Sequence, residues 1–519
     1  MSNTFHYGSS HLTIGICLDI AKGKTRGVID HDASEKIIAS WHEVEKIVHA
    51  QLPVYGINTG FGPLCDTRIS EADTSQLQIN LLKSHSVGVG KPIPQEIAKL
   101  MLITKVQALA QGYSGIALET LERIIWHIDH DIIPVVPEKG SVGASGDLAP
   151  LAHLFLPLIG EGEVFANGAK FRTKDVLTTH GLQPLALGPK EGLALINGTQ
   201  FILAFAVKAV ERLQNALDAA DLIGAMSLEG LMGSARPFDE RLHQLRPYKG
   251  SKHVAKRLHT LLKESEICNS HVNCDRVQDP YSLRCMPQVH GASRNAWLHL
   301  KELTEIELNS VTDNPIIFNA DDTISGGNFH GQPLAMVLDY ATIATAELGN
   351  IADRRCYLMS EGRYGLPKLL TSNAGLHSGL MIPQYTTAAL VTENKTLCFP
   401  ASADSVPTSL GQEDHVSMGS ISGRKLHQVI DNLEYIQAIE LLYAAQAMDF
   451  RRPLKSTPVV EALHSLVRQE VQFIEDDRIF ADDINSLHQL ITNGLLLATA
   501  GDAAAKHQIN LNDDDFGIY

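Results

Sequence analysis

Ile436-Gln437-Ala438-Ile439-Glu440-Leu441-Leu442-Tyr443-Ala444-Ala445-Gln446-Ala447-Met448 is apolar on nearly every side of a 3.6-residue spiral. A helix of this kind has no flank to give to water, so it predicts a bundle with a buried central layer, completed by other subunits. It closes a helical run that starts at Gly423. Four more long runs precede it: Gly198 to about Leu228, Gln288 to Asn309, Gln332 to Tyr357 and Gly375 to Thr396. In Gln288–Asn309, Val289, Ala292, Ala296, Leu300, Leu303 and Ile306 recur at intervals of three or four and make one apolar stripe. The chain is therefore expected to be mainly α, a long-helix bundle over residues 198–519.

Residues 1–197 read differently, as a small mixed α+β part. Ala33 to Ile132 follows helical periodicity, broken by Tyr55-Gly56-Ile57-Asn58-Thr59-Gly60-Phe61-Gly62-Pro63, which reads as a loop after a short strand. Glu163–Lys174, with Asn167-Gly168 at its centre, predicts a hairpin, and Ile316–Ser325 with Asp321-Asp322 predicts another. The extended run Ile132–Val136 leads to the Gly-rich passage Gly140–Gly146, after which Asp147 is placed to cap a helix beginning Leu148-Ala149-Pro150.

Composition narrows the function classes. Hydrophobic residues make up 44% and charged residues 20% of 519, ordinary globular usage. A formal net charge of −16 repels a phosphate backbone, so nucleic acid is not an expected partner. No run of 18 or more apolar residues predicts a membrane span, and Met1–His11 carries no secretory pattern. Seven cysteines without a C-x-x-C pair predict no disulfide framework and fit a reducing, cytoplasmic setting.

The chemistry gathers at Gly140-Ser141-Val142-Gly143-Ala144-Ser145-Gly146-Asp147-Leu148. A peptide nitrogen attacks a carbonyl two residues back only where bulk is minimal and the backbone is sharply bent. Ala144, Ser145 and Gly146 supply a small, an eliminable and an unhindered residue in that order. Loss of two waters from them would leave a methylidene-imidazolone ring.

The order of motifs resembles that of the aromatic amino acid ammonia-lyases, and most closely their histidine-acting members. The resemblance runs from the Tyr55–Gly62 loop through Ser84-His85, Gly143–Leu148, Glu191–Thr199, Gln278–Cys285, Asn309–Pro315, Gly326–His330 and Gln412–Met418. It implies the long-helix bundle of the fumarase/ammonia-lyase type. It also implies a 4-methylidene-imidazol-5-one (MIO) group formed from Ala144-Ser145-Gly146 near helix N-termini, with no external cofactor or metal. The reaction implied is L-histidine to trans-urocanate and ammonia, in a homotetramer whose sites are each built from three chains.

Residue by residue, the resemblance makes Tyr55 a general base or proton carrier and places Tyr281 and Asn197 at the reacting centre. Arg284 would bind the substrate carboxylate, and Gln278 and Phe329 would complete the pocket. A guanidinium suits a carboxylate through two parallel hydrogen bonds, and Arg284 stands one helical turn from Tyr281. His85 and Glu413 match the positions that meet the substrate side chain. Phenylalanine- and tyrosine-acting relatives commonly carry Gln where Glu413 stands, and a carboxylate suits an imidazole N–H better than a phenyl ring. A tyrosine or phenylalanine ammonia-lyase or aminomutase is the alternative. Two departures bear on specificity: Leu410-Gly411 replaces a more usual Ala-Asn, and His290 stands where an apolar residue is common. Cys268, His271 and Cys274, at intervals of three, offer a competing metal reading, although structural zinc prefers tighter cysteine pairs.

Overall fold

The computed structural model describes residues 3–50, 54–60, 62, 69–70, 73–272, 276–511 and 514–518. The body of the molecule is formed by the helices Gln200–Gly230, Met286–Leu308, Gln332–Ser360, Met381–Leu397 and Gly419–Asp449, close to the bounds that patterning predicts. Gly419–Asp449 packs against Gln200–Gly230, Gln332–Ser360 and Met381–Leu397, which enclose it.

Every residue from Ile436 to Met448 is buried, and one chain alone buries them. The expectation that other subunits complete this layer is corrected on that point. Most polar groups in the stretch are paired, as burial demands; the Gln437 Oε1 is the exception among the described residues. Glu440 accepts from Arg355 at 2.5 and 2.9 Å and from the Ser227 hydroxyl at 2.6 Å, and Gln437 donates to the Ala216 carbonyl at 2.6 Å. Removing one member of a pair such as Arg355–Glu440 costs about 3–5 kcal/mol, because the other is left charged in a dry core.

The apolar stripe on Met286–Leu308 is only partly the inward face: Ala296 and Leu300 are buried, and Val289 and Leu303 pack against the core. Ala292 and Ile306 are exposed, while His290, Arg294 and Trp297 are buried. Specific polar partners rotate the helix. His290 Nδ1 lies 2.9 Å from Asp221, Arg294 donates to Asp221 at 2.6 Å, and the Trp297 indole donates to the Val210 carbonyl at 2.9 Å. Burial alone would raise the Asp221 carboxyl, but Arg294, His290 and Arg257 hold it well below the usual carboxylate range.

The N-terminal part carries His31–Ala50, Thr74–His85, Gln95–Leu109 and Leu118–Asp129, with short sheets between them. Patterning missed a parallel pair, Asn3–Tyr7 with Thr25–Ile29, and an antiparallel pair, Val89–Pro92 with Pro137–Lys139. The hairpin at Asn167-Gly168 forms as predicted: Ala166 faces Ala169, and φ is 49° and 77° at the two turn residues, the left-handed values of a two-residue turn. In the second hairpin Asn319 faces Asp322, so the turn is Ala320-Asp321 and Asp322 already belongs to a strand. The strand expected before Tyr55 is not seen: helix continues to Ala50, and residues 51–53 lie outside the described ones. One of two large cores joins residues from Phe5 to Ile518 and carries Gln95–Leu109 against Gln200–Gly230.

Apolar side chains remain uncovered on the bundle's flank. Met336, Tyr340 and Ile343 on Gln332–Ser360, and Ile382 and Tyr385 on Met381–Leu397, are exposed, and the latter helix buries only Pro383, Thr387 and Asn394. No helix among the described residues is long and apolar enough to cross a membrane.

Candidate active site

The 140–147 loop is clamped where helices begin. Met418 N donates to the Val142 carbonyl at 2.9 Å and the Ser420 hydroxyl to the Ser141 carbonyl at 2.7 Å, immediately ahead of and within the first turn of Gly419–Asp449. Asp147 N donates to the Gly198 carbonyl at 2.8 Å and Gly198 N to the Ser145 carbonyl at 3.3 Å, just ahead of Gln200–Gly230. Leu148–Phe155 starts from the loop itself. Three helix N-termini therefore meet at Ala144-Ser145-Gly146, and their dipoles favour electron-rich groups there.

Asp147 does not cap the helix that follows it. Its Oδ2 instead accepts from Ile202 N at 2.9 Å, capping Gln200–Gly230, while Oδ1 accepts from the Ser141 hydroxyl at 2.8 Å. Burial lifts its carboxyl to about 7 against the pull of these donors.

The tripeptide fits the ring closure asked of it. Gly146 has φ of 74°, and a Cβ there would stand 2.0 Å from the Gly198 oxygen; at Gly143, with φ of 68°, a Cβ would stand 2.1 Å from Ser417 Oγ. Only glycine satisfies either position. The Gly146 N–H has no hydrogen-bond partner among the described residues, so its nitrogen gives up no bond in closing a ring.

Ala144 and Ser145 open onto a cavity of about 1190 Å³ that Tyr55, His85, Asn197, Phe329 and Glu413 also line. That volume exceeds the ~300–1,000 Å³ usual for a small-molecule pocket and leaves room for further side chains. The Tyr55 hydroxyl accepts from Gly62 N at 3.3 Å. His85 Nδ1 lies 2.9 Å from the Leu81 carbonyl, which fixes the proton on that nitrogen and leaves Nε2 as an acceptor. Burial lowers the His85 pKa, and both the Leu81 bond and the Glu413 charge work against that shift.

Asn197 is buried, donates from Nδ2 to the Asn314 carbonyl at 3.0 Å, and has an Oδ1 without a partner among the described residues. Glu413 is held at both oxygens, accepting from the Ser145 hydroxyl at 2.9 Å and from Thr408 Oγ1 at 2.8 Å.

Gln278, Tyr281 and Arg284 do not line this cavity. They sit on an exposed segment in which Tyr281 is 71% exposed and the Arg284 guanidinium lies 4.5 Å over its ring, as the one-turn spacing predicts. Arg284 Nε donates to the Asp279 carbonyl at 2.9 Å, and the Asp279 carboxylate is itself held by Ser234 N at 2.7 Å and Arg276 at 2.8 Å. The guanidinium's outer edge is thus aimed by a rigid turn.

His290 is a core residue and not part of the pocket wall. The metal reading finds no support in His271, whose two ring nitrogens lie 2.8 and 3.2 Å from the Ile267 and Gly233 carbonyls; Cys274 lies outside the described residues. Asp218, Asp221 and His253 do cluster, but Arg294 and Arg257 already pair with both carboxylates.

Sequence reasoning missed Thr408, Asn314 and Lys105. Lys105 left a signal, the one charge within Leu100–Leu109; Asn314 lay inside the Asn309–Pro315 motif without a role given to it, and Thr408 left none, being an ordinary loop residue until the chain closes on it.

The pattern of the family described as aromatic amino acid lyase matches residues 12–469. The histidine ammonia-lyase of Myxococcus xanthus is 47% identical over 490 residues, 94% of this chain and 96% of that protein. Among solved structures, the histidine ammonia-lyase of Trypanosoma cruzi superposes with a TM-score of 0.88 at 40% identity, covering 96% of this chain and 95% of that one. The tyrosine aminomutase of Streptomyces globisporus superposes with a TM-score of 0.92 at 34% identity, covering 98% of this chain and 100% of that one.

Proposed function

The chain belongs to the aromatic amino acid lyase family, and from that premise we propose that it is a carbon–nitrogen lyase taking L-histidine to trans-urocanate and ammonia. The observation that carries the substrate is Glu413, a carboxylate fixed by Thr408 and directed at Ser145. The methylidene-imidazolone formed from Ala144-Ser145-Gly146 supplies an electron sink, taking a nucleophile at the Ser145 β-carbon and electron density at the Ser145 carbonyl oxygen.

The chain's own side chains do the rest. Glu413 accepts the substrate's imidazole N–H, and neutral His85 offers Nε2 to the same ring. The unpartnered Oδ1 of Asn197 accepts from the substrate's ammonium. Tyr55, on the cavity wall, carries the proton removed from the β-carbon. A second copy's Gln278, Tyr281 and Arg284 complete the pocket, with Arg284 on the substrate carboxylate. The exposed apolar flank, the oversized cavity and the outward-facing Arg284 all favour a homotetramer with shared sites. The free thiols of Cys17, Cys268, Cys285, Cys356 and Cys398 suit a cytoplasmic enzyme.

Fold alone does not select the substrate, since a tyrosine aminomutase superposes as well as a histidine ammonia-lyase. Ultraviolet assays on L-histidine, L-tyrosine and L-phenylalanine in parallel decide it. Histidine should lead in kcat/KM by several orders of magnitude; a lead for tyrosine or phenylalanine would overturn histidine as substrate and leave the lyase family intact.

A further inference from the structure

Lys105 is a charge in the wrong surroundings. Gln95–Leu109 is buried from Ile97 onward almost without interruption, and Lys105 is 1% exposed. Buried ammonium groups are ordinarily paired with carboxylates, yet Lys105 makes no ion pair among the described residues. Asp313, whose charge reaches it, is bound to Lys190 at 2.5 Å, and Asp147 is engaged by Ser141 and Ile202. Burial brings the lysine down to about 7, so as ammonium or amine it keeps hydrogens to donate.

Those hydrogens go to one acceptor, the backbone carbonyl of Asn197. The same peptide group carries the Gly198 N–H, which donates to the Ser145 carbonyl at 3.3 Å. A continuous line therefore runs from Lys105 Nζ through the Asn197–Gly198 peptide to the oxygen on which the electrophile's charge collects. Hydrogen bonds in series polarise one another, and a donor fixed beforehand on an oxygen that gains charge is the most effective kind in a dry site.

We propose that Lys105 is a positioning residue for the electrophile: by donating to the Asn197 carbonyl it fixes and polarises the peptide whose Gly198 N–H grips the Ser145 oxygen. The same bond holds the backbone of Asn197 at the cavity wall, so one buried lysine sets two parts of the site. This rests on the methylidene-imidazolone reading and is independent of which amino acid is the substrate.

The test uses the full-length enzyme and a small nucleophile, cyanide, in place of substrate. Intact mass gives the fraction of chains that have lost two waters, and cyanide addition is followed by near-ultraviolet absorbance and expressed per dehydrated chain. Lys105→Met should add cyanide about tenfold more slowly than wild type with a shifted absorption band, Lys105→Gln should fall between them, and Lys105→Arg should restore the wild-type rate. Equal rates and spectra for Lys105→Met and wild type would overturn the proposal. So would failure of both uncharged variants to fold, which would make Lys105 a folding residue only. A wild-type chain at its full translated mass would instead remove the electrophile on which the proposal rests.

Discussion

Ser145 Oγ and Glu413 Oε1 lie 2.9 Å apart, brought together across 268 residues of chain by the clamp of Gly419–Asp449 on the 140–147 loop. The carboxylate proposed to read the substrate ring thus stands beside Ser145, with Thr408 holding its other oxygen. A charge-assisted hydrogen bond is worth about 1.5–3 kcal/mol, on the order of 10- to 150-fold in kcat/KM. Glu413→Gln should lower histidine turnover by at least that factor while removing the cost of an unpaired carboxylate against a phenyl ring. Kinetics on three amino acids check it; an unchanged histidine-to-phenylalanine ratio would show that Glu413 does not select.

The mature chain should weigh about two waters less than its translated sequence, with no cofactor supplied, because Gly146 N is free and Gly143 and Gly146 hold a bend that no other residue accepts. Ser145→Ala should assemble normally, show the full translated mass and be almost inactive. Active wild-type protein at full mass in an intact-mass spectrum would contradict this.

Stability should fall on mild acidification through His127. Burial pushes this imidazole down to about 4, against a hydrogen bond to the Ile132 carbonyl at 3.0 Å. The native state keeps the ring neutral while the unfolded chain protonates it near 6.5, so the unfolded state binds more protons between those values and stability declines as pH drops from about 6.5 to about 4. The loss is about 2 kcal/mol at pH 5. In equilibrium urea unfolding across this window, His127→Gln should take up about one proton fewer than wild type; an identical pH slope would refute the assignment.

How far these features were legible in the sequence differs by kind. Ile436–Met448 announced the bundle because burial on every side needs no knowledge of the partner helix, and Asn167-Gly168 announced its hairpin because the turn's left-handed angles are local. The buried face of Met286–Leu308 was read only in part: Ala296 and Leu300 are inside, but so are His290 and Arg294, polar by type and drawn in by Asp221, which lies about 70 residues earlier in the chain. Asp147 was read as a cap on its own helix and caps another, since nothing local distinguishes Leu148 from Ile202 as its partner. Within the site, the motifs named Tyr55, His85, Ala144, Ser145, Asn197, Phe329 and Glu413, which line one cavity. What was not readable is that Gln278, Tyr281 and Arg284 face away from the cavity of their own chain.

That separation gives the sharpest test of assembly. Tyr55 lines the cavity with Ser145, whereas Arg284 is held by Asp279 and Tyr281 on an exposed segment outside it. If a pocket takes Tyr55 from one copy and Arg284 from another, a Tyr55→Phe chain and an Arg284→Ala chain are each inactive as homotetramers but complement each other when mixed. A hybrid tetramer then contains pockets built from the intact Tyr55 of one chain and the intact Arg284 of the other, alongside pockets that carry both defects. Co-expression with two affinity tags and sequential purification isolates the hybrids, and activity should return to roughly a quarter of wild type if each pocket draws the two residues at random from equal chains. A double variant carrying both changes in one chain, paired with wild type, controls for subunit exchange. Verified hybrids without recovered activity would show that a single chain supplies both residues, and that the segment carrying Arg284 must swing into its own cavity.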